Sequence, residues 1–151
     1  MRKQTYDFES KRLYRQKLKK YIATHFPDQN RRRNLTVACF PGHEGLEVTE
    51  VYLPLGIRPN RIYGIEQDQE AARLIAGLDL KINVINRPAK DYFATTPERF
   101  DIVNLDFQSQ FGEDEEAAIR SLFLLKKARS RMILGTNFYG ARENKERQRA
   151  V

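Results

Sequence analysis

The stretch LTVACFPGHEGLEV, Leu35 to Val48, decides how the rest of the chain is read. Leu35 to Phe40 is a short run of apolar and β-branched residues, the composition of a buried strand. Pro41, Gly42 and Gly45 then break it, and the chain resumes as EGLEVTEVYL, an apolar-periodic segment predicted to be a helix and halted by Pro54 and Gly56. A strand that ends on glycines and runs into a helix is the opening of a βα unit. Such a turn lets a backbone come close to a ligand, and it points the free N–H groups of the next helix at the same space.

Outward from there the chain alternates in type. NRIYGIE, KINVIN, FDIVNLDF and RMILGTNF read as strands two to five. Between them DQEAARLIAGL, AKDYFAT and EDEEAAIRSLFLLKKA read as helices, the last with four acids in its first turn and Lys126 and Lys127 in its last, as the helix dipole favours. Strands of near-continuous apolar residues alternating with helices predict an α/β fold. The expected form is a doubly wound, mostly parallel five-stranded sheet with helices on both faces, a Rossmann-like architecture.

In front of it, YDFESKRLYRQKLKKYIATHFPD is predicted to be a basic helix, with Tyr14, Leu18, Tyr21 and Ile22 on one stripe and most lysines and arginines off it. It should end near Pro27 and Asp28, where QNRRRN forms a polar link. The expected organisation is a basic helix and linker over 1–33 and a Rossmann-like domain over 34–151.

Charge follows the same division. Residues 1–33 carry net +8, residues 126–151 net +6 and the middle net −7, so the overall +7 comes from two basic ends around an acidic centre. Basic ends fit a polyanion, and nucleic acid is the expected partner, solvated surface being the bland alternative. No apolar run approaches the ~20 residues of a membrane span, and MRKQTYDFES lacks the apolar core of a secretory signal. The expectation is a cytoplasmic protein with no membrane role. Cys39 is the single cysteine, and two histidines beside it are too few for a structural zinc site, so no metal is expected.

In an open α/β sheet, ligands sit at the carboxyl ends of the strands where strand order reverses. Glu66 ends the second strand 21 residues after Gly45, the placement from which a carboxylate accepts two hydrogen bonds from a ribose diol. RPAKDYF follows strand three, within reach of a nucleobase, and Asp106 stands at the tip of strand four.

The successive segments TVACFPGHEG, IYGIEQD, NRPAKDYF and FDIVNLDF resemble the motifs of class I S-adenosylmethionine-dependent methyltransferases, over about residues 34 to 138. The resemblance implies S-adenosylmethionine as cofactor. Phe40, Pro41, Gly42 and Gly45 would pass along its methionine part, Glu66 would hold the ribose, and Gln67, Ala89 and Lys90 would flank the adenine. Asp106 and Phe107 would face the methyl acceptor, with Phe111 a second ring for stacking on a base. Ala38 stands where the family usually carries an acid, and His43 and Glu44 are the polar residues of the loop. The family also continues past strand five into further strands, whereas YGARENKERQRAV is charged and suits one helix at most. A C-terminally truncated domain is therefore expected, with an exposed sheet edge open to a homodimer or a partner chain. The readings kept open are a methyltransferase acting on nucleic acid, a catalytically inactive domain of the same fold that binds nucleic acid or a partner subunit, and a dinucleotide oxidoreductase. The lack of a G-x-G-x-x-G run argues against the last.

Overall fold

The computed structural model of the protein describes residues 2–107 and 112–137, with side chains from residue 9 onward. The apolar runs become five strands: β1 Val37–Cys39, β2 Ile62–Ile65, β3 Asn83–Ile85, β4 Phe100–Asp106 and β5 Ala128–Asn137. All are parallel and lie in the order β3-β2-β1-β4-β5. The fold is thus α/β and Rossmann-like, with β1 central. Five α-helices accompany them: α1 Arg2–His25, α2 Gln29–Arg32, α3 Gln69–Gly77, α4 Ala89–Thr95 and α5 Glu113–Leu124.

Both faces of the sheet are covered, because strands buried on both sides leave no face for water. On one face Leu18 and Ile22 of α1, with Phe26 just past its end, pack with Val37, Cys39, Ile62 and Ile102 of the strands. On the other, Tyr92 and Phe93 of α4 and Ala118 and Leu122 of α5 pack against Ala38, Val103 and Leu105. Burying each large side chain contributes about 1.5–3 kcal/mol before chain entropy is counted. The stripe predicted for α1 therefore holds at Leu18 and Ile22, while Phe26 extends it. Tyr21 departs from it: it is 52% exposed and lies against His25, ring centroids 4.2 Å apart.

Four local expectations need correction. The segment after the glycine turn is not a regular α-helix, since Val48–Tyr52 winds as a π-helix in which Leu53 N–H donates to Val48 C=O five residues back at 3.0 Å. Second, α1 ends at His25, close to the expected Pro27, but the link after it is not irregular throughout: Asp28 caps a further single turn, α2, by accepting from the Asn30 N–H at 2.9 Å. Third, α5 ends at Leu124, so Lys126 and Lys127 lie beyond it. Lys126 takes φ +54° and its N–H bonds Phe123 C=O, while Lys127 N–H bonds Leu122 C=O. This is a Schellman closure with lysine in the place glycine usually fills, and it turns the chain straight into β5. Fourth, β5 begins at Ala128 rather than Arg131. Phe111 and the segment YGARENKERQRAV fall outside the described residues.

Candidate functional site

Strand order reverses between β1 and β4, because the chain runs from β1 outward to β3 and then crosses to the other side of β1. The tips of those two strands bound the crevice where an open parallel sheet binds its ligand. Ala38 pairs with Val103 and Cys39 with Asn104, which brings Phe40 level with the end of β4. Phe40 and Phe107 meet there edge to face, centroids 5.2 Å apart at 72°.

The glycine loop is built by left-handed backbone. Gly42 has φ +73° and Gly45 φ +64°, and the Gly45 N–H closes the turn onto Gly42 C=O at 3.2 Å. A Cβ on Gly42 would meet nothing within 4 Å, whereas one on Gly45 would fall 2.6 Å from the Leu80 side chain. Gly42 therefore faces open space, and Gly45 is fixed by packing. Pro41 is buried, its ring pressed towards Gly64 of β2. His43 and Glu44 are exposed.

At the β2 tip, Glu66 is half-buried and one carboxylate oxygen accepts from the Asp68 N–H at 3.0 Å. Asp68 in turn caps α3 through the Ala71 N–H at 2.8 Å. Asn86, just past β3, donates to the carbonyls of Glu66 and Gln67 at 3.0 and 3.1 Å, so the tips of β2 and β3 are tied together. Gln67 is exposed beside them. Ala89 opens α4 and packs against the core, and the Lys90 ammonium lies 2.8 Å from Asp114 at the start of α5. That ion pair bridges the helices on either side of β4.

A second set of residues at the same crevice was not singled out from sequence. Glu47 follows the glycine turn and is buried; it accepts from the Tyr52 hydroxyl at 2.8 Å and from the Asn104 amide, and it also bonds the Cys39 thiol. In an α-helix, positions five apart point roughly 140° away from each other. The π turn is what carries Tyr52 round to Glu47, and such turns are frequent at functional sites. Asn104 completes the network by accepting from Tyr14 of α1 at 2.6 Å.

Gly135 of β5 lies directly beneath that bond. A Cβ on it would sit 2.7 Å from the Tyr14 hydroxyl and collide with the Asn104 carbonyl oxygen.

Burial raises the Glu47 carboxyl from its ordinary 4.5 to about 7, its three hydrogen bonds pulling the other way and the Asp106 charge adding to the rise. Burial first, then the charges of Glu47 and Asp106, push the Tyr14 hydroxyl up to about 12. Asp106 is half-buried at the β4 tip and acts electrostatically on both, so the acids and the tyrosine share one environment. The hydrogen-bonding partners of Glu47 among the described residues are all neutral. It is a buried acid without a cation, an arrangement that marks functional-site candidates when it falls in a crevice.

Ala38 is fully buried on the opposite face, among Ile65, Phe93 and Phe100. A carboxylate there would be unpaired in an apolar core, whereas Glu47 brings one to the α1 side of the same strand. Two signals in the sequence pointed this way: Asn104 is an amide inside the apolar run IVNL, and Glu47 is an acid flanked by Leu46 and Val48.

Among the described residues no group of three His, Cys, Asp or Glu side chains could hold a metal ion, and no helix is long and apolar enough to cross a membrane. Comparison with protein-family models and with curated proteins finds no match to the sequence in either.

Proposed function

We propose that the protein is an S-adenosylmethionine-dependent methyltransferase whose acceptor is a nucleic-acid amine. The observation that carries this reading is the buried Glu47 carboxyl, held by neutral partners at the β1/β4 tips with Asp106 beside it. Two acids at the reversal of strand order, with no cation bonded to Glu47, suit a ligand that brings positive charge. S-adenosylmethionine carries both a sulfonium and an ammonium. When bound, it supplies an electrophilic methyl group.

The chain's own residues then have separable tasks. The open side of Gly42 leaves room for close backbone approach, and Glu66 keeps a carboxylate oxygen for a ribose diol at the β2 tip. Gln67, Ala89 and Lys90 border the position of the adenine. Asp106 accepts a hydrogen bond from the acceptor amine and takes up the proton that leaves the nitrogen once it is methylated. Phe40 and Phe107 wall the crevice against water, and excluding water while aligning nucleophile and methyl is most of what such a transfer requires. The exposed Lys11, Arg12, Lys19 and Lys20 of α1 supply phosphate contacts.

A second reading is a non-catalytic domain of the same fold that binds nucleic acid or a partner subunit. It is favoured by Pro41, which fills the space over Gly64 and spends part of the glycine loop on internal packing. Titration calorimetry with S-adenosylmethionine separates the two. Saturable heat that is lost in Glu47→Gln supports the enzyme; absence of heat with S-adenosylmethionine and with NADH leaves the non-catalytic reading.

A further inference from the structure

Among the described residues β5 is the outermost strand of the sheet and pairs with β4 on one side. A groove of about 660 Å³ lies between it and α1, and it is touched by five consecutive β5 residues, Arg131 to Gly135. Successive side chains of a strand point to opposite faces of its sheet. A cavity touched by five in a row therefore runs along the edge of the strand, where backbone N–H and C=O groups are presented, rather than over one face. Its far wall is α1 and the residue after it, with Leu18, Tyr21 and Phe26 supplying apolar surface. Lys17 and Arg131, both exposed, are the Lys and Arg residues lining it, and neither forms an ion pair with another described residue.

A second copy of the chain would bring its own Lys17 and Arg131 to the same edge, and like charges facing each other across paired strands are unfavourable. We infer that the β5 edge is a docking site for an extended segment of a partner protein, added as a strand to β5, with apolar residues in the groove and acidic residues opposite Lys17 and Arg131. Backbone pairing to an open edge supplies affinity, and the side-chain pockets and the charges supply selectivity. The groove shares Tyr14 and Gly135 with the Glu47 network, but its edge and its cations do not depend on the methyltransferase reading.

The test uses the full chain and a fluorescein-labelled twelve-residue peptide of alternating Val and Thr flanked at both ends by Asp and Glu. Anisotropy should show saturable binding, and amide hydrogen exchange of residues 131–135 should slow when the peptide is present. In the charge-reversed variant Lys17→Glu/Arg131→Glu, affinity should fall about tenfold, since each exposed pair is worth little alone and reversal makes both repulsive. A peptide with Lys in place of its acids should bind that variant better than the acidic one does, which also shows that the variant is folded. No binding, or binding that leaves exchange in β5 unchanged, overturns the proposal. So does displacement of the acidic peptide by a single-stranded RNA decamer, which would make the groove a nucleic-acid site. Protection of β5 amides before any peptide is added would assign the edge to the chain's own tail in a monomer, or to a second copy if it grows with protein concentration; either result overturns it.

Discussion

Replacing Glu47 by Gln should remove a specific pH dependence of stability. In the unfolded chain this carboxyl loses its proton near 4.5; in the folded protein, burial holds the proton to about 7. Between those values the folded state binds more protons than the unfolded state, so stability must fall as pH rises. The contribution is fully present below 4.5 and lost above about 7, and the displacement corresponds to roughly 3 kcal/mol. That is a sizeable share of the ~5–15 kcal/mol that holds a typical domain together. Glutamine keeps the shape of the side chain: its carbonyl can accept from Asn104, and the Tyr52 hydroxyl can turn to accept from its amide. Urea denaturation of both proteins, followed by circular dichroism from pH 4 to 8.5, isolates the effect, because the remaining carboxylates largely cancel in the difference. The stability of Glu47→Gln relative to the parent should rise by about 3 kcal/mol across the window. A difference that stays flat within ~0.5 kcal/mol would refute the assignment of a neutral, buried carboxyl to the folded crevice.

Other perturbations probe neighbouring parts of the argument. Gly135→Ala drives a methyl group into the Tyr14–Asn104 hydrogen bond and should cost about 2–4 kcal/mol, while Tyr14→Phe should cost about 1–2. In chemical denaturation the double variant should lose less than the sum of the two; simple additivity would mean the methyl group does its damage elsewhere. Lys126→Gly relieves a left-handed lysine at the Schellman closure and should stabilise the chain by ~1 kcal/mol in a thermal melt, so an unchanged or lower stability would contradict that geometry. Glu66→Ala should weaken S-adenosylmethionine binding by ~1.5–3 kcal/mol in calorimetry, and an unaltered affinity would take Glu66 out of the ribose position.

The strands and their tips were legible because they rest on signals that survive folding unchanged. The apolar runs at 35–40, 62–65 and 100–106 are buried on both faces, and only strands of a covered parallel sheet have that composition. What sequence did not show is how the segment after Gly45 winds. The pattern EGLEVTEVYL satisfies an α-helical period, yet the protein adopts a π turn whose benefit is tertiary: it unites Glu47 and Tyr52 over the end of β1. The boundary of α5 was misread for a related reason. Lysines near a helix C-terminus suit its dipole wherever the helix stops, so they do not mark the stop; the left-handed Lys126 does, and nothing in its side chain announces it.

The place of α1 follows from the same network. Its sequence shows an apolar stripe and a basic face; the structure adds that Tyr14 reaches Asn104 of β4, Asn104 reaches Glu47, and Glu47 reaches Tyr52. Arg15 adds an ion pair with Glu50 of the π turn at 2.6 Å. Any ligand that alters the charge of Glu47 acts on a chain of hydrogen bonds ending in the helix that carries the basic surface. Occupancy of the crevice and the orientation of α1 should therefore be coupled through Asn104, a prediction for the affinity of α1 towards a polyanion. Cutting the links at both Tyr14 and Arg15 should leave Leu18 and Ile22, with Phe26 just beyond them, to hold α1 by apolar packing. A crevice ligand would then cease to influence the affinity of α1 for a polyanion, although each could still bind by itself.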